Sequence, residues 1–172
     1  MVSDIIHCTQ LNVQHSRAGT ANLCKDIADL DTAIAFVQEP WINKEKILGF
    51  GACGAKLHRG SNDVGPRLCI LTKDLVAYSL RQFGVRDTTT VCFTYTVHNR
   101  KQRIIAASIY MPIEEHLPPT MPERICMYCK QENLPLIVAF DTNAYHLAWG
   151  GADSSYGGKM LSEFLATSDL GI

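Results

Sequence analysis

The chain has 172 residues, 47% hydrophobic and 19% charged, enough for one domain with a sizeable core and too apolar for a disordered segment. Sixteen Lys and Arg against seventeen Asp and Glu leave a formal charge of -1, so no global basicity marks a nucleic-acid binder. An enzyme that gathers acidic ligands for a cation in its cleft and sets basic residues around the rim also comes out near neutral. No apolar run is long enough to span a membrane, and "MVSDIIHCTQLNV" lacks the basic start, long apolar centre and cleavage site of a signal peptide, so the expected location is intracellular.

In chain order, "DIIHCTQLNV" (4–13) reads as a strand, and 16–30 as a helix with Ser16 as N-cap and Leu23, Ile27 and Leu30 along one face. "TAIAFVQ" is a second strand, ending at Glu39-Pro40-Trp41. Residues 49–66 read as loop with one short strand, and "RLCILTKDLVAYSL" supplies further strand. "TTVCFTYTVHNRKQRIIAASIYMP" predicts a hairpin, with Lys101 and Arg103 at its tip either touching phosphates or keeping an edge from pairing with another chain. Pro118, Pro119 and Pro122 interrupt the chain. "MPERICMYCKQEN" then predicts a helix with proline in its first turn, residues 135–140 a strand, and "KMLSEFLATSDL" a last helix with Met160, Leu161, Phe164 and Leu165 on one face. The seven cysteines are odd in number and scattered, and the single C-x-x-C at Cys126 and Cys129 has no second pair, so reduced structural thiols are expected rather than disulfides or zinc. The pattern implies a single domain over 1–172, an α/β (α+β) arrangement of mixed sheet with helices outside.

Several of these strands end on polar residues: Asn12 after "QL", Glu39 after "VQ", Tyr110 before a proline, and Asp141 and Asn143 after "LIVAF". A carboxylate at the end of a buried strand is costly unless paired, hydrogen-bonded or bound to a cation. If the strands are neighbours, one rim of the sheet gathers carboxylates, carboxamides and a phenol. That set suits phosphodiester hydrolysis with a hard cation, which takes oxygen ligands and is commonly held by one or two carboxylates plus a phosphate oxygen. Glu39 fits as the anchor, and carboxamides can bind phosphate oxygens without adding charge. Tyr110 can donate to charge developing at phosphorus, and Asp141 can orient or deprotonate the attacking water, while Thr142 points to the opposite side. Each residue also has a local reading, as turn, cap or core aromatic. His146 in a loop and Trp149, which can wedge that loop onto the core, are the harder ones to place, and Arg59 and Arg67 in "RGSNDVGPRL" can touch phosphates, with a solvated loop the simpler account of Arg59.

"QLNVQHSRA", "AFVQEPW", "GPRLCIL", "ASIYMP" and "VAFDTNAYHLAWGG", in that order, resemble the apurinic-endonuclease-like domain of non-LTR (LINE-type) retrotransposons, a branch of the endonuclease/exonuclease/phosphatase superfamily. The resemblance spans nearly the whole chain and rests on "QEPW" together with "DTNA-x-H-x-x-WG". It implies a four-layer sandwich of two mixed sheets flanked by helices, and nicking of double-stranded host DNA with Mg²⁺, or Mn²⁺ in its place. The resulting 3′-hydroxyl primes a reverse transcriptase domain of the same polyprotein, in the nucleus. By position, Glu39 and Asn12 would serve the metal, Tyr110 the phosphate, Asp141 and Asn143 water and phosphate, and Arg67, His146 and Trp149 the DNA.

Two departures stand out. Tyr145 occupies a position where relatives often have His. The family's closing strands, with an Asp near a Ser and a final Asp-His pair, have no counterpart before Ile172, and no histidine here sits in a Ser-Asp-His context. A C-terminally shortened domain is therefore expected, with lowered activity and an exposed sheet edge open to dimerisation. The alternatives are an inactive truncated or domesticated remnant acting as a binding module, and a phosphomonoesterase or phospholipid hydrolase of the same superfamily. An aspartyl-phosphate phosphotransferase is disfavoured, because Asn143 stands where a second Asp is needed.

Overall fold

Apolar runs of four residues closing on a buried polar one, "IAFVQ" and "LCILT", call for strands covered on both faces, and this sets the layering. The computed structural model describes residues 5–60, 65–97, 100–112, 120–168 and 170–171. Its elements are β1 (Cys8–Asn12), α1 (Arg17–Asp29), β2 (Ile34–Gln38), β3 (Ile42–Asn43), β4 (Lys46–Ile47), β5 (Lys56–His58), β6 (Leu68–Thr72), β7 (Val76–Ser79), β8 (Thr88–Val97), β9 (Arg100–Met111), α2 (Thr120–Glu132), β10 (Leu136–Thr142) and α3 (Tyr156–Thr167), with short 3-10 turns at Phe50–Ala52, Arg81–Phe83 and Leu147–Trp149.

Two four-stranded mixed sheets form, in the orders β1-β2-β6-β5 and β10-β9-β8-β7, while β3 and β4 make a separate small hairpin. β1 runs parallel to β2 and β10 parallel to β9, and the other pairings within the two sheets are antiparallel. Between the sheets lie Ile34, Phe36 and Ile70 from the first and Val91, Phe93, Ile104 and Ala106 from the second. Alternation sends the neighbouring residues outward. Val37, Cys69 and Leu71 meet Leu23 and Ile27 of α1, while Cys92, Ile105, Ala107 and Ile109 meet Ile125 and Cys129 of α2. Leu161 and Phe164 of α3 close over Cys126 on the same outer side. The order helix, sheet, sheet, helix is the expected four-layer sandwich.

Ser16 caps α1 by accepting from the Gly19 N–H, as its position implies. Several boundaries differ from expectation. Leu30 is the C-cap of α1 and is 60% exposed, because the helix ends before its side chain can return to the sheet. β10 runs on through Asp141 and Thr142, held by parallel pairing with Tyr110 and Met111, so the carboxylate lies inside the strand's last turn of pleat. α3 begins at Tyr156, earlier than its apolar stripe suggests, because Ser155 caps it through the Gly158 N–H. Lys101 and Arg103 lie within β9, opposite Thr96 and Thr94. The hairpin turn at residues 98–99 and the break at Pro118 and Pro119 lie outside the described residues, as does Asp4 of the first predicted strand. All seven cysteines are free, and Cys126 and Cys129 are buried in α2. No helix among the described residues is long and apolar enough to cross a membrane.

Candidate active site

Parallel pairing brings the C-terminal ends of β1 and β2 level in one sheet, and those of β9 and β10 level in the other. The two ends meet. Asn12 Nδ2 donates to Asp141 Oδ2 at 2.8 Å, and Gln10 Nε2 donates to the Phe140 carbonyl at 2.7 Å, so both polar side chains of β1's last turn reach across to β10. Asn12 is used at both ends, since its Oδ1 accepts from the Gln14 N–H at 2.8 Å. That double engagement fixes the plane of the carboxamide and so aims its N–H at the carboxylate.

Tyr110 lies beside Asp141 by strand register, and Asn143 Nδ2 donates to its phenolic oxygen at 3.2 Å. With one lone pair of the oxygen so engaged, the phenol's own O–H can still donate to another acceptor. Arg67 carries its guanidinium over the Tyr110 ring, 5.1 Å from the centroid, and its Nε lies 3.5 Å from Asp87 Oδ1. That carboxylate oxygen is buried with no hydrogen bond among the described residues, so the contact is an ion pair of poor directionality rather than a closed fork. Arg67 retains donors for another acceptor.

Glu39 follows β2 directly and takes a left-handed backbone conformation, φ +45°. Its N–H donates to the Arg67 carbonyl and its carbonyl accepts from the His15 N–H, each at 2.7 Å, so the strained geometry is held from both neighbouring segments. His15 Nδ1 lies 3.0 Å from the Pro40 carbonyl, and the Arg17 guanidinium sits over Trp41, which fixes the Glu-Pro-Trp turn to the start of α1. Beneath the rim, buried Gln38 donates to Ser108 Oγ at 3.2 Å and ties the two sheets together below the polar cluster.

The five residues Asn12, Glu39, Tyr110, Asp141 and Asn143 thus share one rim, as their strand-end positions imply, with Arg67 beside them. His146 and Trp149 are placed differently. His146 caps the 3-10 turn by accepting from the Ala148 N–H at Nδ1, and its ring lies against Trp149 at 4.8 Å. Trp149 donates to the Ala144 carbonyl and packs against the α3 cluster. No described hydrogen bond joins either to the Asn12–Asp141 pair, so the geometry shows them shaping the loop that delivers Asn143. The loop is also pinned by Ser155, which exchanges hydrogen bonds with the Tyr145 backbone, and by Gly158, where any Cβ would overlap the Tyr145 carbonyl. Sequence reasoning missed Asp87, Gln10 and His15. Gln10 alternates with Asn12 along the strand, a visible signal, whereas Asp87 and His15 carry none.

Oxygen donors dominate the rim. No group of three or more His, Cys, Asp or Glu side chains that could hold a metal exists among the described residues. A hard cation such as Mg²⁺ does not require one, since one or two carboxylates with waters and a phosphate suffice. Glu39, with the second lone pair of Asn12 Oδ1, fits such an ion by donor type.

No family model matches the chain, and no curated protein does. Solved structures do. The fold is shared with the endonuclease domain of TRAS1, a telomere-specific non-LTR retrotransposon, at TM-score 0.73 and 20% identity over 95% of this chain and 71% of that one. An endonuclease/exonuclease/phosphatase family protein from Bacteroides thetaiotaomicron matches at TM-score 0.58 and 11% identity, over 93% and 69%. A mannosyl-6-phosphatase from the same organism matches at TM-score 0.54 and 12% identity, over 93% and 70%. The fold is that of the endonuclease/exonuclease/phosphatase proteins. Within that class the retrotransposon endonuclease superposes more fully than the other two, although identities this low speak for the fold alone.

Proposed function

We propose that this chain is the DNA endonuclease domain of a non-LTR retrotransposon polyprotein, using Mg²⁺ or Mn²⁺ to nick double-stranded host DNA in the nucleus and leave a 3′-hydroxyl that primes the adjoining reverse transcriptase. The observation that carries the reading is the Asn12–Asp141 hydrogen bond, which joins the two sheets at the rim where Tyr110, Asn143 and Glu39 also converge. When bound, the cation supplies charge neutralisation at the phosphate. The chain's own groups supply the rest. Asp141, oriented by Asn12, accepts a proton from the water that attacks phosphorus as the P–O3′ bond breaks, and the departing 3′ oxygen takes up a proton from solvent to become the 3′-hydroxyl. Tyr110, whose oxygen is engaged by Asn143, donates its O–H to a non-bridging phosphate oxygen, and Arg67 adds positive charge on the same side.

Supercoiled-plasmid nicking tests this. Open-circle product formed with Mg²⁺, abolished by EDTA and by Asp141→Ala, and extended by a DNA polymerase from its 3′ end supports the reading. Hydrolysis of a sugar phosphate without nicking would move the chain to the phosphatases, and duplex binding without cleavage by a folded chain would make it a binding module. The unpaired long sides of β1 and β10, the terminal strands of their sheets among the described residues, favour self-association. Sedimentation at rising concentration reads this out.

Glu39 offers a separate test, because backbone and side chain there make opposite demands. A non-glycine residue in the left-handed region costs roughly 1–2 kcal/mol, and glycine relieves this at a comparable cost in unfolded-state entropy. Glu39→Gly is therefore expected to leave stability within about 1 kcal/mol of the parent and to remove metal-dependent nicking. Urea unfolding and nicking measured side by side check it. A large loss of stability would show that the side chain is needed by the fold.

A further inference from the structure

The same rim carries a second cleft, beyond the polar cluster. β5 lies two strands from β2 by way of β6, and β7 two strands from β9 by way of β8. At ~4.8 Å per strand, the ends of β5 and β7 stand on the order of 10 Å from those of β2 and β9. They are at the same level. His58 pairs with Ile70, so Arg59 and Gly60 come alongside the start of β6, just after Arg67. Ser79 pairs with Val91, so Arg81 comes alongside the start of β8, just after Asp87.

Between these ends is a cleft of about 420 Å³ lined by Arg59 and Gly60 from the first sheet and by Ser79, Arg81 and Thr90 from the second, with no carboxylate among the described residues of its walls. Arg59 and Arg81 are exposed, and neither joins a salt bridge among the described residues. Two like charges sharing a cleft repel each other unless an anion lies between them, and a guanidinium's planar fork suits a phosphate. Thr90 adds a buried hydroxyl with no hydrogen-bond partner among the described residues, a group that costs stability unless something supplies one. The backbone here is also fixed. Gly60 sits so close to the carbonyls of Val85 and Thr88 that a Cβ would overlap them, which holds the β5 end firmly against the turn before β8.

We infer that the Arg59–Arg81 cleft is a subsite for a second phosphodiester of the substrate DNA, a few nucleotides along the backbone from the one cleaved. The inference rests on the endonuclease reading and adds to it a basic track running from Arg67 across β6 and β8. A phosphate held there sets the register of the duplex on the rim and so selects which phosphodiester meets Asp141.

The test is binding of a labelled duplex in EDTA, where no cleavage occurs, followed by fluorescence anisotropy across a KCl series. Each phosphate neutralised contributes about 0.9 to the slope of log K against log salt. Arg59→Gln/Arg81→Gln is expected to lower that slope by about one, and Arg59→Lys/Arg81→Lys to keep it. In a scan that replaces single phosphates by neutral methylphosphonates, the parent loses affinity at one position a few nucleotides from the nick and the Gln variant does not. Unchanged slope and unchanged scan in the Gln variant overturn the subsite and leave the endonuclease reading standing. A slope lowered equally in the Lys variant overturns it as well, since charge was retained. Failure of the parent chain to bind duplex at all overturns both readings.

Discussion

Asp141→Asn is expected to lower plasmid nicking by on the order of 10² to 10⁴, the usual worth of a positioned proton acceptor, with little change in thermal midpoint. The substitution keeps the shape and leaves an oxygen that can still accept from Asn12 Nδ2, so the link between the sheets survives while basicity is lost. Asn12→Ala then separates two roles that the sequence leaves joined. If Asn12 works by aiming the Asp141 carboxylate, its loss costs at least about tenfold in the parent and almost nothing once Asp141 is Asn, because residues acting as a unit are strongly non-additive. If it works on the metal or the phosphate, the two losses multiply. Nicking rates of the parent, both single variants and the double variant decide between these. The geometry favours the first outcome, since the carboxamide is held at both ends with its N–H directed at the carboxylate.

Much of this site was legible because strands deliver residues by position. Asn12, Glu39, Tyr110 and Asp141 each sit at or next to a strand's C-terminal end, and parallel pairing levels the ends of β1 and β2 in one sheet and of β9 and β10 in the other. Pairing partners were not legible. Nothing in "QLN" says that Asn12 meets Asp141, 129 residues away and in the other sheet, because that contact follows from how the two sheets stack. The left-handed backbone at Glu39 was equally hidden, since glutamate carries no signal for it and the surrounding hydrogen bonds impose it. Trp149 and His146 make local hydrogen bonds that hold the loop, a role visible in the sequence for Trp149 and hidden for His146. Leu30 fits the helical period yet lies one residue beyond the point where the helix still faces the sheet.

Acid should weaken this fold through the buried His58. His58 is 3% exposed, and its two ring nitrogens lie 3.3 Å from Ser79 Oγ and 2.9 Å from Thr72 Oγ1, hydroxyls that can match a neutral imidazole by rotating. Burial, reinforced by the nearby Lys56 ammonium, pushes its pKa down to about 4 from the ordinary 6.5. The sign follows from proton counting. Between pH 6.5 and about 4 the unfolded chain binds a proton at this position and the folded chain does not, so stability falls as pH drops through that window and levels off below it. A fall of up to about 3 kcal/mol is expected from this group, at about 1.4 kcal/mol per pH unit. Carboxylates also titrate at the lower end, so the comparison must be with His58→Gln, which can still bond Thr72 and Ser79 but does not titrate. Urea midpoints from pH 7 to 4.5 should converge as pH falls, the parent losing its advantage over the variant. Parallel curves would mean that His58 takes up its proton in the folded state as readily as in the unfolded one, and that water reaches the ring between the ends of β5 and β7.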